Sequence, residues 1–243
     1  MKLWEVTDPG LVRSDNQDAY ATAEIAGFTV AVVCDGMGGT AGGRIASTTA
    51  VDTVMNELNH ALRQDMDEVQ LNQAVLYAIA CANDAIHQRS AEDEELSKMG
   101  TTLVCALCCP NGETLLCNIG DSRGYHLTGD GIVQITRDHS VVENLVEQGE
   151  LTQAQARRHP NRNLITRALG PDEVVQADTF TLTLHEGEFL LLCTDGLVNT
   201  VSEQEMLFEV IHESDLDSCL ERLLEISRDN GAPDNVTVVL MKQ

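Results

Sequence analysis

The chain has 243 residues, 43% of them hydrophobic and only 3% aromatic, which is enough for one large core built on Val, Leu, Ile and Ala. Fifteen Lys and Arg against 39 Asp and Glu give a formal charge of −24, which repels nucleic acid and anionic membrane surfaces. The N-terminal MKLWEVTDPG has no apolar signal region, and no apolar run approaches the roughly 18 residues of a membrane span, so a cytoplasmic location is expected. Eight cysteines lie in or beside apolar segments, which reads as reduced, buried thiols; Cys105 and Cys108 fall on opposite faces of one apolar strand, against a zinc or redox pair.

In chain order, a strand is expected from Lys2 to Thr7, then a polar loop Arg13-Ser-Asp-Asn-Gln-Asp18, then a strand from Ala19 to Ile25. The run Thr29–Cys34 is short, β-branched and uncharged, so it reads as a strand buried on both faces that delivers Asp35 into the glycine-rich turn Gly36-Met-Gly-Gly39. Apolar stripes at helical spacing place helices over Arg44–Arg63 and Glu68–Arg89, packed antiparallel on one sheet face. Gly100-Thr-Thr102 opens the next strand, Asn111-Gly112 turns a hairpin, and Thr114–Ile119 leads into Gly120-Asp-Ser-Arg123. A second hairpin follows over Gly124–Leu127 and Gly131–Ile135.

From about residue 138 to 172 the pattern changes to short helical pieces, Ser140–Gln148 and Thr152–Arg158, with a capping box at Thr152 and Gln155. A basic patch, Arg157, Arg158, His159, Arg162 and Arg167, stands out there, either as solvated surface or as a flap contacting substrates. Val174–Leu184 and Glu188–Cys193 read as a strand pair joined at Glu186-Gly187. Two helices follow, one capped by Ser202 and Glu205 and ending near His212, one capped by Asp215, and a last strand covers Val236–Met241. Strands in consecutive runs, with one helix pair early and one late, point to an antiparallel α+β sandwich with helices outside.

Three apolar strands end on Asp35, Asp121 and Asp195, and a fourth begins just after Asp234. A lone Asp-Gly is ordinary turn chemistry, but this repetition would gather carboxylates at one sheet edge, where either some protonate or a cation neutralises them. An all-oxygen site suits Mg²⁺, Mn²⁺ or Ca²⁺. The glycines alone would also suit a dinucleotide turn, but the acid expected about 20 residues on falls in mid-helix near Met55–Glu57.

The six motifs RSDNQD, DGMGG, MGTT, GDSR, TDGL and DNVT, in this order from Arg13 to Thr237, resemble those of metal-dependent Ser/Thr protein phosphatases of the phosphatase 2C type, most closely compact bacterial members. The resemblance implies a four-layer α-β-β-α sandwich of two mainly antiparallel sheets flanked by helix pairs, in a single catalytic domain spanning 1–243 with a helical flap. It implies hydrolysis of phosphoserine and phosphothreonine in proteins by metal-activated water, with no covalent intermediate and two Mn²⁺ or Mg²⁺ ions. Asp35 would bridge the ions, the Gly36 carbonyl would complete one sphere, and Asp195 and Asp234 would hold the other. A third, weaker site would use Asp121 with Asp195; Asp18 would orient metal-bound water and Arg13 would clamp the phosphoryl oxygens. Many relatives carry a His shortly after the Asp-Gly; here Met37 and Thr40 stand at those positions, so the general acid is unassigned, with His139 the nearest motif candidate. The implied partners are phosphorylated proteins and a cognate Ser/Thr kinase, for a monomeric signalling enzyme without nucleic-acid or membrane partners. A phosphatase-like binding module and a small-molecule phosphoesterase are the alternatives.

Overall fold

The computed structural model describes residues 1–212 and 215–243, with every side chain among them but that of Thr40. Two antiparallel sheets lie face to face. The first, in the order β1-β11-β10-β7-β8, comprises β1 (Lys2–Asp8), β7 (Arg123–Thr128), β8 (Gly131–Gln134), β10 (Phe189–Cys193) and β11 (Val236–Lys242). The second, in the order β2-β3-β5-β6-β9, comprises β2 (Asp18–Ile25), β3 (Phe28–Met37), β5 (Leu103–Cys108), β6 (Glu113–Ile119) and β9 (Asp178–Thr183); the short β4 (Gly100–Thr101) pairs with the end of β3.

Period-2 alternation divides each central strand between two cores. From β3, Val30, Val32 and Cys34 face a core shared with helices α1 (Gly39–Ala61) and α2 (Glu68–Glu92), while Ala31 and Val33 face the space between the sheets. From β10, Leu191 and Cys193 face α6 (Glu203–His212) and α7 (Leu216–Asp229), while Leu190 and Leu192 meet Val33 and Val104 across the sheets. Strands buried on both faces must be apolar throughout, which explains the unbroken runs in β3, β5 and β10. The expected α-β-β-α layering is therefore present. Its residues are aliphatic, each fully buried Leu or Val contributing roughly 1.5–3 kcal/mol.

Three expectations need correction. The helix expected from Arg44 begins at Gly39. The five glycine-rich residues before Arg44 have poor helix propensity, yet tertiary contact imposes the turn: a Cβ on Gly36 would lie 2.1 Å from the Gly43 carbonyl oxygen, so two glycines let strand end and helix start touch. Second, β9 and β10 are not a hairpin. β9 pairs with β6 in one sheet and β10 with β7 and β11 in the other, so the turn at residues 184–188 carries the chain between sheets. Third, Asp195 opens a short helix, α5 (Asp195–Val198), which no periodicity announces. The flap holds α3 (Val141–Glu147) and α4 (Gln153–Ala156), the latter with the expected capping box. Among the described residues all eight cysteines are free thiols, and no helix is long and apolar enough to cross a membrane.

Candidate metal centre

The alternation that builds the inter-sheet core also builds the site. Continuing inward from Ala31 and Val33, the next position of β3 is Asp35; from Leu190 and Leu192 of β10 it is Thr194; in β11, Thr237 precedes Val239 and Met241. Asp18 lies directly across from Asp35 in the β2–β3 register, on the same face. The apolar inter-sheet core thus ends in a polar rim.

At this rim a cleft of about 480 Å³ is lined by Arg13, Asp35, Gly36, Asp121, Asp195 and Asp234, together with Gly38 and the flap residues Asn163 and Ile165. Six of the seven residues singled out in the sequence therefore meet. The seventh, Asp18, lies beneath them: its Oδ2 accepts from the hydroxyls of Thr194 (2.9 Å) and Thr237 (2.7 Å), tying the two sheets together at the rim.

These carboxylates strain against one another. Burial, then the charges of Asp18, Asp195, Asp121 and Asp234, holds the Asp35 carboxyl well above the usual range. Burial and Asp195 push Asp121 up to about 8, burial and Asp234 push Asp195 up to about 6, and burial, opposed by the two threonine hydroxyls, brings Asp18 to about 7. Oδ1 of Asp18 and Oδ1 of Asp195 are buried without a hydrogen-bond partner. Buried carboxylate oxygens facing only other acids require a cation or a proton. The donor set is all oxygen, which fits a hard divalent ion. Among the described residues, no three acidic, His or Cys side chains close on one point by themselves. Coordination would therefore draw on the Gly36 carbonyl and on water as well.

The sequence did not disclose how the acids are held. Asp35 donates its N–H to the Thr102 hydroxyl (2.9 Å), and its carbonyl accepts from the Thr101 hydroxyl (2.8 Å) and the Thr102 N–H (2.9 Å). The Thr102 hydroxyl also meets that of Ser122 at 2.6 Å, linking the Asp35 segment to the Asp121 loop. Arg123, half-buried two residues past Asp121, forks onto Asp138 at 2.7–3.1 Å and donates to the Tyr125 hydroxyl at 2.9 Å. Asn235 accepts from the Gln17 N–H and donates to the carbonyls of Pro9 and Asp15, fastening the loop that carries Arg13. The available signal was positional: polar residues at inward positions of otherwise apolar strands.

Four assignments change in detail. Arg13 forks onto Asp234 through Nε (2.8 Å) and Nη2 (2.7 Å), so it is anchored to a candidate ligand. The absent Cβ of Gly36 makes room for the backbones of Gly43 and Gln17. His139 is 5% exposed and both ring nitrogens are engaged: Nδ1 accepts the Gly120 N–H (3.1 Å), and Nε2 lies 3.2 Å from Asp178. It is a strut for the Asp121 loop and cannot serve as general acid. Arg167 leaves the basic patch and turns inward to Asp178 at 2.7 Å.

The family model described as protein phosphatase 2C matches residues 12–241. The serine/threonine phosphatase stp of Listeria welshimeri is 34% identical over 250 residues, covering 98% of this chain and 94% of the relative. The crystal structure of serine/threonine phosphatase Stp1 from Staphylococcus aureus superposes with a TM-score of 0.94 at 32% identity, over 100% of this chain and 94% of that one. The catalytic domain of the serine/threonine protein phosphatase PstP, solved in complex with two manganese ions, gives 0.84 at 32% identity, over 98% and 96% of the two chains.

Proposed function

The chain belongs to the protein phosphatase 2C family, and from that premise we infer that it is a metal-dependent enzyme hydrolysing phosphoserine and phosphothreonine in proteins, with the rim of carboxylates as its centre. The observation that carries the reading is the convergence of Asp35, Asp121, Asp195 and Asp234 in one cleft, where burial and mutual repulsion raise Asp35, Asp121 and Asp195. Asp35 with the Gly36 carbonyl would hold one ion, Asp35 with Asp195 and Asp234 a second, and Asp121 with Asp195 a third. When bound, such ions polarise the phosphoryl oxygens and lower the pKa of the attacking water.

The chain's own residues supply the rest. Among the described residues Nη1 of Arg13 finds no acceptor, which leaves it for a phosphoryl oxygen while the other limb of the fork stays on Asp234. Asp18, held by two hydroxyls, would orient the nucleophilic water. Thr101, Thr102 and Ser122 fix the acids, so little reorganisation is needed as charge develops. Beyond the cleft a groove of about 990 Å³ runs between the flap and α5–α6, past Arg157, Arg162 and Glu203. That is more room than a small phosphoester needs, and it favours polypeptide substrates.

Residues 138–172 would form a flap on a single catalytic domain. A monomer opposing a Ser/Thr kinase in the cytoplasm completes the proposal. Phosphate release from a phosphothreonine peptide, with Mn²⁺ and with chelator, tests it. Asp35→Ala and Asp195→Ala should abolish the Mn²⁺-dependent rate; full activity in either refutes the assignment.

A further inference from the structure

The return limb of the flap, residues 165–173, is stapled at successive points, first to the flap's own opening residues and then to the body of the protein. Ile165 bridges Ser140, Thr166 donates its N–H to the His139 carbonyl at 2.7 Å, and Leu169 exchanges backbone hydrogen bonds with Thr101 at 2.9 and 3.1 Å. The last staple comes from α2, in the outer layer, far in sequence from every acid in the cleft.

Asn83, Ile86 and His87 share one helix face, being three and four residues apart. Asn83 is 2% exposed. Its Oδ1 accepts the Gly170 N–H at 2.9 Å, and its Nδ2 donates to the carbonyls of Asp172 (3.0 Å) and Glu173 (3.1 Å). His87 Nδ1 lies 2.8 Å from the Gly170 carbonyl oxygen, which can only accept, so Nδ1 carries the proton. The N–H and the carbonyl of Gly170 are thus both satisfied by side chains of α2. Gly170 has φ +106°, and a Cβ there would lie 2.5 Å from Ile86 Cγ2, so only glycine lets the limb approach this closely.

Upstream on the same limb, Asn163 and Ile165 line the cleft, and Arg162 and Asn163 line the groove. We propose that Asn83 and His87 are positioning residues for polypeptide substrates: they fix the flap's return limb, and with it the stretch that carries Arg162, which lines the groove but not the cleft. A small aryl phosphate needs only the cleft, whereas a phosphothreonine peptide also needs the groove. The hydroxyls that hold Asp35 and the Asp121 loop, those of Thr101, Thr102 and Ser122, bond neither Asn83 nor His87, so the reacting centre keeps its geometry when the clamp is cut. This inference rests on the reading of the chain as a protein phosphatase. Mn²⁺-dependent turnover of both substrates by the unaltered protein tests that reading by itself.

The inference is tested by the ratio of kcat/KM for a phosphothreonine peptide to that for p-nitrophenyl phosphate. His87→Ala should lower the ratio about tenfold, mainly through the peptide KM, with the aryl phosphate rate within about twofold of the unaltered protein. His87→Asn places an amide donor near the same position and should restore most of the loss. Asn83→Asp keeps the acceptor for Gly170 but removes both donors, and should lower the ratio in the same direction. If His87→Ala does not fold, His87→Leu, which keeps bulk but has no donor, takes its place in the comparison with the same loss expected. Equal losses on both substrates, or unchanged peptide kinetics in a folded variant, would overturn the proposal.

Discussion

Stripping the divalent ions from this protein should give it a pH-dependent stability that the loaded protein lacks. Asp121, Asp18 and Asp195 sit at about 8, 7 and 6, against an ordinary value near 3.8, with Asp35 raised as well. A carboxyl raised by folding makes the folded state the better proton binder. Stability is then fullest below the ordinary carboxylate range and declines as pH climbs through these values. Each proton held in excess costs about 1.4 kcal/mol per pH unit, or about 3–6 °C in Tm for a chain of this size. Water in the open cleft screens the charges, so the lower end of that range applies. Bound ions keep the same carboxyls ionised and remove the slope. Melting curves at pH 6, 7 and 8, in EDTA and in saturating Mn²⁺, isolate the effect, because all other titrating groups are common to both series. Titration calorimetry in buffers of different ionisation enthalpy should show proton release on Mn²⁺ binding near pH 7. Parallel Tm–pH curves with and without metal, and no proton release, would refute the reasoning.

Other consequences are as direct. Thr102→Val removes the acceptor of the Asp35 N–H and the link to Ser122; it should cost about 1–3 kcal/mol in urea unfolding and raise the Mn²⁺ concentration needed for half-maximal activity. Gly196→Ala would set a Cβ 1.9 Å from the Asn235 carbonyl oxygen; a Tm loss of several degrees, about 1–3 kcal/mol, is expected, together with a lower rate because Asp195 moves. Arg13→Ala should raise KM for a phosphopeptide and lower kcat by roughly 10²-fold, with Mn²⁺ half-saturation changed by less. Leu58→Ala, in the fully buried α1 face, should cost about 2–5 kcal/mol while leaving the activity of folded molecules unchanged, read from chevron or equilibrium melts alongside specific activity.

The acids were legible because Asp35, Asp121 and Asp195 sit where an apolar run gives out and Asp234 sits just before one begins, so four strand ends deliver a carboxylate. The layers were legible because β3, β5 and β10 carry apolar runs that suit strands buried on both faces. Pairing was less so. The segments that became β9 and β10 are adjacent in sequence and share a turn, which reads as a hairpin, yet only the second is a continuous apolar run. The first, Asp-Thr-Phe-Thr-Leu-Thr, alternates as an edge strand does, and that contrast marked them for different sheets. The start of α1 was hidden because propensity argues against helix in a glycine-rich stretch that tertiary contact nevertheless winds. The anchoring of Arg13 on Asp234 was invisible, since nothing local relates two residues 221 positions apart.

That last separation bears on how the protein comes into being. The strand that follows Asp234, β11, lies between β1 and β10 and supplies Thr237 to Asp18. On the ribosome, β1 therefore waits without a strand partner while more than two hundred residues are added, and the acid that faces Arg13 is made among the last of these. Until that segment is made, Arg13 has no carboxylate to anchor it and Asp18 lacks one of its two hydroxyls, so the site is completed only with the last strand of its sheet.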